Sequence, residues 1–273
     1  MFRVLGIYRE PEHSPDRVEV DKAIMDAVLA RLSDHGCSTE VSTPDYLREV
    51  DSANFDLVLA MCKSAQSLEL LRSFENAGVL VVNSADSIRR CYRDMLNHIL
   101  KRAGVPTPPG ELIAIPGRNA AIDLRGLVLE RGVFVKPADP LGLSSGCVVE
   151  VRSLTELNDA LTAFVAKGIR WAYLQQALSG TVVKFYGVSG EDFFVPCGLT
   201  SVFAGVNSKL AQIARMAAAA LGLEVWGGDA VVNEQGVFLI DLNDWPSFAP
   251  IRELAAAAIA KRCLSLLSAR KKK

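Results

Sequence analysis

GGDAVVNEQGVFLIDLNDWPSF, residues Gly227 to Phe248, holds two short apolar runs, Val231-Val232 and Val237 to Ile240. They are separated by the polar turn Asn233-Glu234-Gln235-Gly236, the pattern of a β-hairpin. Side chains alternate along a strand, so Asp241 and Asn243, two residues apart, share a face. Together with Asp229 they offer hard oxygen donors at the ends of two adjacent strands. Such a set suits magnesium, which keeps several waters and takes one or two carboxylates alongside substrate phosphates. The plainer alternative is a hairpin with acidic strand ends.

Upstream, Gly132 to Pro137 (GVFVKP) forms an apolar strand ending in Lys136. The loop that follows carries Gly142, Ser144, Ser145 and Gly146. Backbone N–H groups and hydroxyls of such a loop can approach an anion while the lysine supplies charge. It is not a Walker loop, which places lysine directly after the second glycine and then opens a helix. Farther on, WAYLQQ (Trp171 to Gln176) reads as a strand, Gln175 to Leu178 as a polar hinge, and Thr181 to Val188 as a second strand bearing Lys184.

Strand–Lys–Pro with a Gly/Ser loop, a Gln-rich hinge, a strand lysine, then Asp and Asp-x-Asn, in this order, resembles the ATP-grasp superfamily over roughly residues 84 to 265, in the manner of the glutathione synthetase ATP-binding domain. The resemblance implies an ATP-grasp fold of α/β and α+β character with an N-terminal Rossmann-like (pre-ATP-grasp) domain. It also implies ATP and magnesium as cofactors. Lys136 and Lys184 would contact phosphates, with Lys184 and Arg252 as catalytic candidates, and Gly142 to Gly146 would close over them. Gln175, Gln176, Ala177 and Leu178 would form the adenine hinge, and Asp229, Asp241 and Asn243 would hold the metal. Relatives often carry a phosphate-contacting lysine in the helix before the central domain. This chain reads Arg89-Arg90-Cys91-Tyr92-Arg93-Asp94 there, with Arg93 the candidate to stand in for that lysine.

Two reaction classes fit. A carboxylate–amine ligase, working through an acyl phosphate, is the commonest activity among lookalikes. A small-molecule kinase is the alternative, because Asp-x-Asn also occurs among the inositol phosphate kinases of the superfamily. A dense cationic cluster for a polyphosphorylated acceptor is missing, which weighs against the kinase. Against the ligase weighs the absence of arginine in Gly198 to Asn207. A nucleotide-binding regulatory protein without turnover is a third reading. Acceptor candidates are the loops at strand ends: Arg9, Glu10, His13, Ser14 and Arg17, then Lys63 and Ser64, then Asp244, Trp245, Ser247, Phe248 and Arg252.

With 273 residues, 50% hydrophobic and 22% charged, the chain can build two or three subdomains with sizeable cores. The expected division is an N-terminal α/β domain (1–83), a central subdomain (84–175) and a C-terminal subdomain (176–273). Thirty basic against thirty-one acidic residues give a net charge of −1, which makes no electrostatic case for nucleic acid or a membrane surface. The partner implied is a small-molecule substrate, with a homodimer possible. Cys37, Cys62, Cys91, Cys147, Cys197 and Cys263 show no Cys-x-x-Cys spacing and read as reduced thiols of a cytoplasmic protein. Met1 to Tyr8 reads as a strand rather than a signal peptide, and no apolar run reaches the roughly 18 residues needed to span a bilayer.

Periodicity predicts strands at Arg3 to Tyr8, Leu57 to Met61 and Val79 to Val82. Helices are expected near Val18 to His35 and Ala65 to Asn76. A single helix should run from the N-cap Ser84 to Gly104. A strand, helix, strand, loop, strand and helix should follow from Glu111. Later helices are expected at Ser208 to Leu221, stopped by Gly222, and at Pro250 to Ser268.

Overall fold

A computed structural model describes residues 1–14, 17–115, 122–138, 148–198 and 205–271. The N-terminal part contains β1 (Arg3–Ile7), α1 (Val18–Asp34), β2 (Ser38–Ser42), β3 (Leu57–Ala60), α2 (Ala65–Asn76) and β4 (Leu80–Val82). Its four strands are parallel, in the order β2-β1-β3-β4. Alternate residues of each central strand go to opposite layers. Val4, Leu57 and Leu59 pack with Ile24, Met25, Val28 and Leu32 of α1. Leu5, Ile7, Val58 and Ala60 pack with Leu68, Leu71 and Phe74 of α2. Gly6 faces α1, where an added Cβ would lie 2.8 Å from Leu29 Cδ1 and 2.9 Å from Met25 Sδ. The missing side chain is what lets the helix sit this close.

Where one helix from Ser84 is expected, the chain forms two, α3 (Ala85–Arg90) and α4 (Arg93–Arg102). Ser84 does cap the first, its Oγ accepting from Ser87 N. The helix then breaks because Tyr92 is extended (ψ 141°), with its hydroxyl donating to Lys63 O. Arg93 thereby becomes the first residue of a new helix.

The central sheet comprises β5 (Gly110–Ala114), β6 (Val133–Pro137), β7 (Val149–Val151) and β8 (Trp171–Gln176), antiparallel in the order β5-β8-β6-β7. The helix α5 (Leu154–Ala166) covers one face through Leu157, Leu161 and Phe164. Among the described residues between β5 and β6, a short 3-10 turn at Leu129–Arg131 stands where a helix was expected.

The third sheet comprises β9 (Thr181–Val188), β10 (Phe193–Cys197), β11 (Val225–Asn233) and β12 (Gly236–Asp244), antiparallel in the order β10-β9-β11-β12. The helix α6 (Val206–Leu221) ends as expected, with Gly222 left-handed at φ 73°. It packs Leu210, Ile213, Ala217 and Leu221 on Val183, Phe185, Ala230, Val232, Val237 and Leu239, and Leu96 and Leu100 of α4 join the same cluster. The final helix, α7 (Arg252–Arg270), lies against both α1 and the third sheet, burying Ala256, Ile259 and Cys263 with Val28, Leu32, Val188 and Val225. Pro250 belongs to a preceding 3-10 turn rather than to the helix.

Two side chains fasten the N-terminal sheet to the third sheet. Asn83, fully buried, accepts at Oδ1 from Glu224 N (2.7 Å) and Val225 N (3.0 Å) and donates from Nδ2 to Val225 O (2.7 Å). Trp245 is also fully buried and donates from Nε1 to Val82 O at 3.0 Å. It is a core wedge, not a substrate platform. Among the described residues, no helix is long and apolar enough to cross a membrane.

Candidate active site

The expected hairpin is present and longer than its apolar runs suggested, and it contains an irregularity that shapes the site. Asp229 pairs with Asp241, but the next residue, Ala230, pairs with Leu239, leaving Ile240 as an extra residue in β12. Val237 and Leu239 face α6, and so does Leu242. Without the bulge, period-two alternation would have sent Asp241 into that apolar layer. With it, Asp241 and Asn243 turn to the opposite face, which also carries Lys184 and Asp229.

That face presents one row across three strands: Lys184 on β9 opposite Asp229 on β11, and Asp229 opposite Asp241 on β12. Lys184 Nζ lies 2.8 Å from Asp229 Oδ1 and 3.1 Å from Oδ2. The Asp241 carboxylate accepts from Leu242 N at 3.0 Å, and Arg93 Nη2 stands 3.9 Å from its Oδ2. Burial alone would raise the pKa of Asp241. Arg93, Lys136 and a hydrogen bond with Asn243 outweigh burial and hold the carboxyl below its ordinary value.

Lys136, at the end of β6, reaches the same region from the central sheet. Its Nζ donates to Gln175 Oε1 at 2.7 Å and to Ile240 O at 3.3 Å. Burial lowers its pKa, partly offset by Asp241. Arg93 Nη1 also donates to Pro137 O at 3.2 Å, so the first turn of α4, the end of β6 and β12 converge. Arg93 is thus brought to the site by the helix break before it, which leaves no mark in the apolar stripe of the sequence.

The hinge residues divide into two kinds. Gln176 is engaged internally, accepting from Val128 N (2.8 Å) and donating to Val128 O (3.0 Å) and Gly132 O (2.7 Å). The Ala177 N–H donates to Gly132 O at 2.9 Å. Gln175 keeps a buried Nε2 without a hydrogen-bond partner in the described structure. Of the expected hinge, Gln175 Nε2, the Ala177 carbonyl and the backbone of Leu178 are thus the groups left to meet a ligand. Gly142, Ser144, Ser145 and Gly146 lie outside the described residues. Arg252 starts α7 with a buried Nε that has no hydrogen-bond partner among the described residues, and it is not among the described residues lining the cavity beside the lysine–aspartate row.

That cavity, of about 300 Å³, lies between the loop after β1 and the end of β12. Arg9, His13, Ser14, Arg17, Lys184, Tyr186, Asn243 and Ser247 line it, over a floor formed by Gly227 and Gly228. A Cβ on Gly228 would lie 2.2 Å from Asp241 O. The loop before α1 is tied down by Asp21, which takes the Ser14 hydroxyl and Arg9 Nη1 (3.6 Å), while Arg9 Nη2 donates to Trp245 O. Asp21 was not foreseen, because a helix aspartate answering a loop arginine twelve residues earlier has no local sequence signal. Asp21 and Asp244 also line the cavity, and buried Asp244 has Lys63 Nζ 2.7 Å from its Oδ1. Glu10 accepts from Lys63 N, Ser64 N and Ser67 Oγ.

The donor set of Asp229, Asp241 and Asn243 fits a hard divalent cation. It offers two carboxylates and an amide on one face, with the Asp241 carboxyl held below its ordinary pKa, and leaves most coordination positions to water or phosphate. Lys184, Lys136 and Arg93 supply three cations around the same carboxylates. Such an arrangement can neutralise a polyphosphate and align its terminal phosphorus with a neighbouring pocket.

Three four-stranded sheets in this order, with the cation and carboxylate residues where the second and third converge, are the ATP-grasp fold. Solved structures agree. The chain matches the D-alanine–D-alanine ligase of Bacillus anthracis complexed with ATP at a TM-score of 0.75 and 14% identity, over 100% of this chain and 99% of that one. A second structure of the same ligase gives 0.75 and 13%, with the same coverage. D-alanyl-alanine synthetase A of Vibrio cholerae O1 biovar eltor gives 0.73 and 11%, over 98% and 97%. No family model matches the sequence, and no curated protein matches it. At such identities the likeness establishes fold, and chemistry must be argued from the site.

Proposed function

We propose that this protein is an ATP- and magnesium-dependent ligase that joins a carboxylate to an amine through an acyl phosphate. The observation that carries the reading is the Lys184–Asp229–Asp241 row, bordered by Lys136 and Arg93 and opening directly into a small polar cavity. Lys136, Arg93 and Lys184 bind and orient the triphosphate, while Gln175 and Leu178 receive the base. Magnesium, held by Asp229, Asp241 and Asn243, would screen charge on the phosphates. A substrate carboxylate in the cavity attacks the γ-phosphorus and ADP departs. The amine then attacks the acyl carbon and inorganic phosphate leaves. The residues catalyse chiefly by positioning and by charge neutralisation. The structural neighbours that bear a ligase name favour this reading over the kinase.

The test is ADP release with a panel of acids, amino acids and polyol phosphates, with hydroxylamine as a trapping amine. A ligase yields hydroxamate and inorganic phosphate. A phosphorylated alcohol would replace this reading with the kinase, and ATP binding without ADP release under every acceptor would leave a regulatory nucleotide-binding protein.

A further inference from the structure

The walls of the 300 Å³ cavity are unevenly charged. Among the described residues lining it, each carboxylate already has a partner within the protein. Asp21 is taken by Ser14 and Arg9, and Asp244, with no solvent exposure, has Lys63 Nζ 2.7 Å from Oδ1, although neither of its oxygens makes a hydrogen bond among the described residues. Glu10, just behind, is 5% exposed and saturated by two backbone N–H groups and a hydroxyl. Asp229 is engaged by Lys184 and belongs to the metal set. Among the described lining residues, no carboxylate is both exposed and free of a cation partner, which is what a substrate ammonium group would need.

The cations are in the opposite state. Arg17 lines the cavity, is exposed and has no ion-pair partner among the described residues; across from it on β9 stands Tyr186, whose phenol is raised in pKa by burial first, with Arg17 only slightly opposing the rise. His13 stands on the same side, with the Ser247 hydroxyl also on the wall. An acceptor reaching from the Lys184 row to Arg17 therefore meets an unpaired cation at its far end, whereas the lining carboxylates Asp21 and Asp244 already face Arg9 and Lys63.

We infer that the acceptor is an acid whose reacting carboxylate faces Lys184 and whose second anionic group, carboxylate or phosphate, is received by Arg17, and that it is not a zwitterionic amino acid. This rests on the ligase reading for the role of the reacting carboxylate, but recognition of the second anion can be measured by itself. A guanidinium matches either anion through paired N–H donors.

The experiment has a binding arm and a turnover arm. With magnesium and a non-hydrolysable ATP analogue, four- to six-carbon dicarboxylates, phosphorylated monocarboxylates of the same length, plain monocarboxylates and α-amino acids are titrated by calorimetry into the protein and into Arg17→Gln. The doubly anionic acids should bind at least about tenfold more tightly than the monocarboxylates or amino acids, and Arg17→Gln should abolish most of that advantage. Dicarboxylates and phosphorylated acids in parallel decide which second anion is preferred. Amino acids binding as tightly as the doubly anionic acids, or an undiminished preference in Arg17→Gln, overturns the inference. In the turnover arm, Arg17-dependent binding without hydroxamate overturns the ligase reading and leaves the acceptor assignment standing. Hydroxamate formed preferentially from amino acids does the reverse.

Discussion

Lys184 and Asp229 stand opposite each other on β9 and β11, with Nζ 2.8 Å from one carboxylate oxygen and 3.1 Å from the other. One aspartate cannot give both oxygens to a lysine and also serve fully as a metal ligand. Under the proposed function, a divalent cation would therefore compete with Lys184 for Asp229.

Lys184→Met should consequently have opposite effects on two measurements. Magnesium binding without nucleotide should strengthen, because Asp229 loses its competitor. ADP release should fall about 10²- to 10³-fold, the usual loss when one charge-stabilising donor is removed. Stability should change by less than about 1 kcal/mol, since the Lys184 side chain is 52% exposed. Calorimetric titration, turnover and denaturant melts read the three quantities. Weaker magnesium binding in the variant would sink the competition argument.

Asp241→Asn removes the carboxylate that the Ile240 bulge turns towards Arg93 and Lys136. The magnesium concentration needed for half-maximal ATP binding should rise about tenfold or more, with the melting curve of the free protein little altered. An unchanged magnesium titration would remove Asp241 from the metal set.

Lys136→Met tests the central-sheet half of the site. The native lysine is 8% exposed and held between Gln175 and Ile240 O, so its loss withdraws a positioned cation and frees Gln175. Thermal stabilisation by ATP with magnesium, about 2.7 kcal/mol at a hundredfold excess over Kd in the native protein, should largely vanish. Full retention of that shift would disprove the phosphate contact.

The hairpin, the Lys136 strand, the Lys184 strand and the α6 stop at Gly222 were legible because each depends on local chemistry: a polar turn, period-two alternation, a glycine at positive φ. What escaped depends on distant contacts. β2, STEVS, carries one large apolar residue, Val41, which is itself exposed. Its strand state comes from backbone pairing with β1. The break at Tyr92 interrupts an unbroken apolar stripe because a hydroxyl finds Lys63 O, twenty-nine residues away. The bulge at Ile240 is invisible in IDLND, where either register alternates acceptably, and only the apolar layer under Leu239 and Leu242 selects between them. In the candidate site, residue types were readable, whereas the engagement of Gln176 and Ala177 with the 128–132 turn was not.

Asn83→Ala probes the junction between the first and third sheets. It deletes three hydrogen bonds made by a side chain with no solvent exposure and leaves Glu224 N, Val225 N and Val225 O without those partners. A loss of about 2–4 kcal/mol is expected in equilibrium unfolding. Hydrogen exchange should increase at Glu224 and Val225 ahead of the core of α2. A variant within about 0.5 kcal/mol of the native protein would mean that Asn83 does not fasten the junction.

Glu10 supplies a pH-dependent part of stability on the wall behind the cavity. Burial by itself would raise its pKa, but Ser64 N and Lys63 N, together with Ser67 Oγ, bring it below the ordinary value of 4.5. A carboxyl whose folded pKa is depressed contributes fully above that ordinary value, and the contribution fades as pH falls through the lowered folded pKa. Glu10→Gln should therefore cost about 1–3 kcal/mol near pH 7, where the native side chain is charged and accepts three hydrogen bonds. The gap between native and variant should narrow in acid, because the native glutamic acid then resembles the amide. Urea unfolding of both proteins at pH 7 and at pH 3 measures this, and a gap of equal size at both would show that the charge on Glu10 adds nothing to the wall it braces.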